Sequence, residues 1–266
     1  MSVCSDVHVI DTLRGGDVYG VALLNDKLYV LRVREFDHDT WFGFDIYFTK
    51  NGTWQLEKMM TVAGQDLRDV ASSAVHQCLF VCDFSAKSVL KLGLDVEVVK
   101  SWSVDEAPVG VSVVPDTDSC RVLITSGESN TLLVLDCESG QCLPFIALPE
   151  DVQLPRHAIL LSGKELMVSH GEHGENRVCK MRSDGGVLCS FDDVKLPCQM
   201  AVDKDGFVFV ADCWNERVVL LSPTLEFIRE IKDLGDTPRR LCLDHFHRMK
   251  LRLYVGLDDK LSVVEL

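Results

Sequence analysis

Short runs of apolar residues alternate with small groups of Gly, Asp, Ser and Pro along the whole chain. The pattern is clearest at residues 109–113, 121–125, 131–135 and 142–146, which are rich in Val, Leu and Ile and are separated by turn-forming residues. Short β-branched runs bounded in this way are typical of strands joined by tight turns. Because no helical period is found near them, the pattern predicts an all-β protein.

This unit of four strands recurs six times along the chain. The first strands of the six copies begin near Val18, Leu67, Pro108, Pro155, Pro197 and Pro238. A period of about 40 residues with four strands per copy is the signature of a β-propeller, in which each copy is one blade. We therefore expect a single domain, residues 1–266, that folds as a six-bladed propeller of four-stranded blades.

The sixth copy lacks one strand. It starts at Pro238, and only three strands fit before the last residue, Leu266. The missing strand can come from residues 7–13, which precede the first copy and have no partner there. We predict that the segment 1–13 completes the sixth blade, closes the ring and covers strand edges that would otherwise favour aggregation.

The composition describes an acidic protein with many cysteines. The 27 Lys and Arg residues against 41 Asp and Glu residues give a net charge of −14, which weighs against nucleic-acid binding. The N-terminus has no secretory signal pattern, and no apolar stretch is long enough to span a bilayer. Eleven cysteines, many of them in predicted strands, favour free thiols in a reducing compartment. We expect a monomeric cytoplasmic protein with no membrane partner.

The segment 211–218, with the sequence Ala-Asp-Cys-Trp-Asn-Glu-Arg-Val, resembles the NHL repeat. NHL blades carry Pro at the start of the first strand and an Asp, Asn and Arg group between the second and third strands. The resemblance implies an NHL-type propeller similar to the C-terminal domain of tripartite-motif (TRIM-NHL) ubiquitin ligases, where this domain recruits protein or RNA. It also implies that Asp212, Asn215 and Arg217 stabilise a turn. Distantly similar six-bladed lyases and hydrolases hold a metal in the central channel.

One position of the repeat carries a candidate binding site. The second residue of the first strand is, in order, Tyr19, Arg68, Val109, Arg156, Cys198 and Arg239. Arginine therefore falls on alternate blades, and a closed ring brings these three side chains to one mouth of the channel. Three guanidinium groups in that position predict a carboxylate or phosphate site, and His157 and Arg240 extend its basic rim. The alternative is that each arginine pairs with an acid of a neighbouring loop, such as Asp66, Asp69, Asp193 or Asp236.

Two long loops between second and third strands, residues 34–42 and 169–175, are further candidates for recognition. They carry Phe36, His38, Trp41, His170 and His173, and the equivalent loop of the fifth copy carries Trp214. Exposed aromatic residues there are natural contact points for a partner, although they could instead cover the junctions between blades.

Metal binding is disfavoured by the spacing of the histidines. His170 with Glu172 and His173, and His245 with His247, each lie on one loop of one blade. A catalytic zinc site needs three ligands that converge, so we expect no metal and no other cofactor.

Together these features predict a non-enzymatic binding or scaffold module that recognises a protein partner. An acidic or phosphorylated segment of that partner is expected at the channel mouth, and the module is expected to recruit substrates in a ubiquitin-ligase-like protein. Two alternatives stay open: an RNA-binding NHL propeller in post-transcriptional regulation, and a metal-dependent propeller lyase or hydrolase.

Overall fold

The computed structural model is an all-β propeller of six antiparallel sheets with four strands each, which confirms the predicted fold class. It describes residues 7–9, 16–36, 39–50, 53–115, 119–127, 130–161, 165–171, 175–244 and 251–266. The first strands of neighbouring blades contact one another around a central axis. Of the helices in these ranges, none is long and apolar enough to cross a membrane.

Blades one to three follow one another along the chain. Blade one consists of β2 (Asp17–Leu24), β3 (Lys27–Phe36), β4 (Asp39–Lys50) and β5 (Thr53–Thr61). Blade two consists of β6 (Leu67–Ser73), β7 (Cys78–Asp83), β8 (Ser88–Leu92) and β9 (Val98–Ser103). Blade three consists of β10 (Pro108–Val113), β11 (Arg121–Ser126), β12 (Thr131–Asp136) and β13 (Cys142–Ala147).

Blades four and five repeat this order, and blade six uses both ends of the chain. Blade four consists of β14 (Pro155–Leu160), β15 (Glu165–His170), β16 (Arg177–Arg182) and β17 (Val187–Phe191). Blade five consists of β18 (Pro197–Val202), β19 (Val208–Asp212), a 3-10 turn (Cys213–Asn215), β20 (Arg217–Leu221) and β21 (Phe227–Ile231). Blade six consists of β22 (Arg240–Asp244), β23 (Arg252–Gly256), β24 (Leu261–Glu265) and β1 (Val7–Val9).

The N-terminal strand β1 is the outer strand of blade six. It pairs antiparallel with β24, so that Val7 lies opposite Val264 and Val9 lies opposite Ser262. The sheet order β1-β24-β23-β22 is the closure that the short sixth copy predicts. The other residues of the predicted closing segment, 1–6 and 10–13, lie outside the described residues.

Apolar packing between neighbouring blades forms the core. Among the described residues there are six buried clusters, and each joins the facing sheets of two adjacent blades. The cluster that joins blade six to blade one contains Val18, Val30, Tyr254 and Val263. Since every sheet is covered on both faces only when its neighbours are in place, the ring is stabilised as a whole.

A backbone irregularity recurs at the start of the first strands. In blades one to five the pairing between the first two strands shifts at a β-bulge, which skips Tyr19, Arg68, Val109, Arg156, and both Cys198 and Gln199. In blade six the Gly256 carbonyl accepts a hydrogen bond from the Arg239 N–H at 2.9 Å, next to the Arg240–Gly256 pair. A bulge takes its extra residue out of the ladder and redirects its side chain.

Deletion of residues 1–9 tests the closure of the ring. We expect the free energy of unfolding to fall by about 1 kcal/mol for each ladder hydrogen bond lost, and the uncovered edge of β24 to promote aggregation. Chemical denaturation and light scattering measure the two effects. Deletion of residues 1–5 is the matched control, because it keeps β1 and is expected to leave both readouts unchanged. Equal stability of the two truncated chains would contradict the closure.

Candidate functional site

The six residues that the repeat aligns line one cavity of about 240 Å³ at the mouth of the channel: Tyr19, Arg68, Val109, Arg156, Cys198 and Arg239. Asp17, Val18, Leu196 and Arg240 complete its wall. The structure therefore brings Arg68, Arg156 and Arg239 together, as the repeat predicts. In blades one to five a bulge frees this residue from the ladder, so that its side chain is available to the cavity, and in blade six Arg239 lies just before β22. The role of these residues in binding stays a prediction.

Arg68 is held by an acid and two aromatic rings. Its Nε lies 2.7 Å from Asp66 Oδ1, and its Nη2 donates to Asp66 Oδ2 at 2.7 Å. The guanidinium carbon lies 4.9 Å from the centre of the Phe84 ring and 5.7 Å from that of the Tyr19 ring. These contacts fix the plane of the guanidinium group at the cavity wall.

The Arg239 side chain is also anchored, and the Arg156 backbone is bonded to blade three. Arg239 forms an ion pair through Nε with Asp258, which lies between β23 and β24. The Arg156 carbonyl accepts a hydrogen bond from the Thr125 hydroxyl at 3.2 Å. Pairing with neighbouring acids thus occurs for Arg68 and Arg239 without removing either side chain from the cavity wall.

The residues that directly follow the six aligned positions form a layer of hydrogen bonds, which we call the floor network: Asp69, His157, Gln199 and Arg240, of which Arg240 also lines the cavity. Gln199 of blade five donates to Asp69 Oδ1 of blade two at 3.0 Å and accepts from the Leu241 N–H at 2.7 Å. Asp69 Oδ2 accepts from the Val111 N–H at 3.0 Å. Blades two and five lie on opposite sides of a six-membered ring, so this bond crosses the channel axis.

Arg240 and His157 both belong to this network, and only Arg240 also lines the cavity. Arg240 donates to the Tyr19 carbonyl at 2.7 Å and to the Arg68 carbonyl at 2.6 Å, which ties blade six to blades one and two. His157 is 4% exposed, does not line the cavity, and accepts the Met200 N–H at 3.4 Å through Nδ1. The prediction that His157 extends a basic rim is wrong, because its side chain is buried outside the cavity.

The floor network changes the protonation of its members. Burial raises the pKa of Asp69 to about 6, although Arg240 and the hydrogen bonds to the carboxylate oppose the increase. Burial and the charge of Arg240 lower the pKa of His157 to about 3, so its imidazole is neutral. A neutral imidazole is also what the acceptor role of Nδ1 requires.

Sequence reasoning missed Asp69 and Gln199 as site residues. A signal was present, because the residues that follow the six aligned positions are Gly20, Asp69, Gly110, His157, Gln199 and Arg240, a polar or glycine set in strands that are otherwise apolar. The glycines are needed for space: a Cβ on Gly110 would lie 2.8 Å from the Arg156 carbonyl oxygen.

The loops between second and third strands lie on the same face as the cavity. The start of each first strand pairs with the end of the second strand, as Pro197 does with Asp212, and these loops follow directly. On this face Trp41 is 51% exposed and Trp214 is 54% exposed, so about half of each side chain is accessible to a partner. Phe36 ends β3, and nothing further is described of its side chain. His38 and His173 lie outside the described residues.

His170 does not belong to the exposed loop surface. It ends β15, is buried, and its Nε2 lies 3.4 Å from Cys179 Sγ. Burial lowers the pKa of its imidazole. The prediction of His170 as a recognition residue is therefore wrong, because the strand continues to that residue and turns its side chain into the blade. Among the residues the structure describes, no three His, Cys, Asp or Glu side chains gather to hold a metal.

Asp212, Asn215 and Arg217 hold the turn of blade five. The buried Asp212 carboxylate accepts from the Lys195 N–H at 2.6 Å, from Asn215 at 2.9 Å and from Arg217 Nε at 2.7 Å. Arg217 also pairs with Glu230 at 2.7 Å. Every one of these contacts lies within the blade or its approach loop, which fits the stabilising role that the NHL resemblance implies.

Replacement of His157 by Asn tests the floor network through pH. The folded His157 stays neutral down to about pH 3, whereas the unfolded imidazole takes up a proton below about pH 6.5, so the wild type loses stability as the pH falls through this range. We expect this loss to approach about 1.4 kcal/mol per pH unit below pH 6 relative to the variant. Denaturant titrations from pH 7.5 to 4.5 measure it.

Replacement of Asp69 by Asn tests the same network, because Asp69 makes stability change with pH in the opposite direction. The raised pKa means that the folded carboxyl keeps its proton up to about pH 6, so Asp69 weakens stability above that pH and the penalty is relieved as the pH falls toward 4. Parallel pH profiles for wild type and His157→Asn would contradict the assignment of a buried neutral imidazole.

Comparison with known proteins supports the fold. No protein-family model and no curated protein matches the chain. Similar solved structures include a selenomethionine-substituted virginiamycin B lyase from Staphylococcus aureus, with a TM-score of 0.63 and 12% identity over 98% of this chain and 99% of that chain. A streptogramin B lyase structure gives a TM-score of 0.62 and 12% identity over 98% and 97%. A catalytically inactive histidine-to-alanine variant of the Staphylococcus aureus virginiamycin B lyase with quinupristin gives 0.64 and 11% over 98% and 99%.

At these identities the likeness shows the six-bladed fold and nothing finer. It nevertheless corrects one prediction. The expectation of a non-enzymatic protein is wrong as an inference from the fold, because three solved propellers that match almost the whole chain are lyases. The NHL resemblance is not shown by any of the comparisons.

Proposed function

We propose that the chain binds a ligand carrying a carboxylate or phosphate group in the cavity at the channel mouth. An acidic or phosphorylated segment of a protein partner is the ligand that this site fits best. The observation that carries the proposal is that Arg68, Arg156, Arg239 and Arg240, from three different blades, line a single cavity of about 240 Å³. Guanidinium groups on separate rigid strands can approach one anion from several directions.

The ion pairs in the wall support this role. A guanidinium group has five N–H donors, and Asp66 engages only Nε and Nη2 of Arg68. Together with the rings of Phe84 and Tyr19, Asp66 limits the rotation of the Arg68 side chain. A ligand therefore meets donors whose conformational freedom is already restricted, which lowers the entropy lost on binding.

The charges favour one anionic group over a polyanion. Asp17 lines the cavity, and Asp66 and Asp258 pair with arginines of the wall, so the positive charge is confined to the cavity. Burial and the nearby Asp258 raise the pKa of Asp17. Single-stranded RNA instead needs a basic surface along many phosphates, which a protein of net charge −14 supplies with difficulty.

A protein partner also fits the surface around the cavity. Trp41 and Trp214 are exposed on the face that carries the mouth, and aromatic anchors beside a charged pocket are typical of protein interfaces. A cytoplasmic location stays a prediction. It agrees with the nine described cysteines, all of which are free thiols.

Substitution of the cavity arginines tests the proposal. Fluorescence anisotropy with a panel of phosphoserine-containing and glutamate-rich peptides is expected to detect binding that weakens with salt. Arg68→Gln and Arg239→Gln should each weaken the binding about 10- to 100-fold, since a hydrogen bond to a charged group contributes about 1.5–3 kcal/mol. Arg182→Gln is the control, because that arginine pairs with Asp184 away from the cavity. Equal affinities of all variants, or no binding by any peptide, would refute the proposal.

A lyase is the second candidate, suggested by solved structures of similar fold. Three of these are virginiamycin B and streptogramin B lyases, one of them determined with quinupristin. Incubation of the purified chain with quinupristin, followed by mass spectrometry, separates the two candidates. Conversion of quinupristin would establish a lyase, whereas peptide binding without conversion would favour the binding function.

A further inference from the structure

A second cavity, of about 220 Å³, lies between blades two and three, and we call it the side pocket. Its lining includes residues 104–106, which lead from β9 into β10, together with Ile124 and Ser126 of β11 and Leu133 of β12. Because Ser126 pairs with Pro108 at the start of β10, the side pocket lies on the face that carries the channel mouth. Among the described residues, none lines both the side pocket and the arginine cavity, so the two are separate sites.

The interior of the side pocket is apolar. Val104 and Ile124 are buried members of the core cluster between blades two and three, and Leu133 packs against that cluster. An apolar cavity of about 150 Å³ can hold a benzene ring, so the side pocket has room for an apolar group of at least that size. Burial of such a group against these walls is favourable in proportion to the apolar area removed from water.

Two adjacent acids give the side pocket a negative edge. Asp105 is exposed, Glu106 is partly exposed, and both line the pocket. The Lys87 ammonium donates to the Asp105 backbone carbonyl at 3.5 Å, and in the described ranges the Asp105 carboxylate forms no ion pair. Lysine and arginine side chains combine a hydrocarbon stem with a charged end, and they bury the stem while the charge stays near water. An apolar pocket with carboxylates at its edge fits such a side chain.

The side pocket and the arginine cavity are neighbours in blade three. Val109, which lines the arginine cavity, follows Glu106 of the side pocket by three residues. A Cβ on Gly127, the residue after Ser126, would lie 3.4 Å from Val109 Cγ1, so the two strands also touch there. Three residues of chain span at most about 11 Å. One short segment of a partner can therefore reach both sites.

We propose that the side pocket binds a lysine or arginine side chain, and that this side chain belongs to the same partner segment whose carboxylate or phosphate occupies the arginine cavity. The stem contacts Val104, Ile124 and Leu133, and the charged end lies beside Asp105 and Glu106. The link between the two sites rests on the proposed function, whereas the cation site itself does not. The partner segment then carries an acidic or phosphorylated residue and a basic residue about two to four positions apart.

Two neighbouring sites of opposite charge select against segments of a single charge. A uniformly acidic segment would bring a carboxylate next to Asp105 and Glu106. A uniformly basic segment would bring a cation next to the guanidinium groups of the arginine cavity. Both arrangements are repulsive, so a segment of mixed charge in the right order is preferred.

Phosphoserine peptides with a single lysine tests the link between the sites. The lysine is placed in turn at each position within four residues of the phosphoserine, and norleucine, which has a similar stem without the ammonium, replaces it in the matched peptides. Fluorescence anisotropy should show about three- to tenfold tighter binding of the lysine peptide at one or two positions. The double variant Asp105→Asn, Glu106→Gln should lose this advantage and bind the norleucine peptides as the wild type does.

The matched control removes the same two charges elsewhere. The double variant Asp205→Asn, Glu226→Gln neutralises two exposed acids in turns of blade five that line neither cavity. It should keep the full lysine advantage. A lysine advantage that is equal in both double variants, or none at any position in peptides that need Arg68 for binding, would reject the side pocket and leave the arginine cavity standing.

A titration with butylammonium chloride tests the cation site without any peptide. The methyl NMR signals of Ile124 and Leu133 are expected to shift saturably with butylammonium, more than with 1-butanol, its neutral analogue. The variant Asp105→Asn, Glu106→Gln should lose the difference. If no acidic peptide binds, the proposed function fails, and this titration alone decides the cation site. Equal shifts with the two probes, or no shift, would overturn it.

Discussion

The contact between blade six and blade one is the constraint on which the rest of the structure depends. Blade six is assembled from both ends of the chain, and its sheet packs on blade one through Val18, Val30, Tyr254 and Val263. An open row of six sheets would leave two apolar faces in water, which the closed ring avoids. Closure also sets the distance of every first strand from the axis, and the site exists only because that distance is short.

Two layers of side chains follow from this geometry. The six aligned residues from Tyr19 to Arg239 form the cavity wall, and the residues that follow them form the floor network. Bonds such as those from Arg240 to the carbonyls of Tyr19 and Arg68 cross blade boundaries, so the floor links sheets that share no ladder. Buried polar groups are stable in such a position only when their hydrogen bonds are satisfied, and the narrow axis provides partners on every side.

The repeat can be predicted from the sequence, whereas most of the hydrogen bonds in the channel cannot. Strand periodicity and the regular spacing of the copies predict the number of blades. The sixth copy ends with the strand that begins at Leu261, one strand short, and this predicts the role of β1. Both predictions need only the local pattern and a count of strands. The convergence of Arg68, Arg156 and Arg239 can also be predicted, because equivalent positions near the axis of a closed ring face the same channel. The bond between Asp69 and Gln199 cannot, because 130 residues separate them and no local pattern encodes a partner across the axis. His170 is a related case: its side chain lies against Cys179 of the next strand, a contact that the spacing of the histidines does not encode.

The bond between Gln199 and Asp69 also has a consequence for how any ligand exchanges. Since it joins opposite blades, it crosses the axis next to the cavity that the arginines line. A ligand that enters from the mouth meets this bond at the inner end of its path. A partner that docks on the face around the mouth lies over such a ligand, so each is expected to change the affinity of the protein for the other.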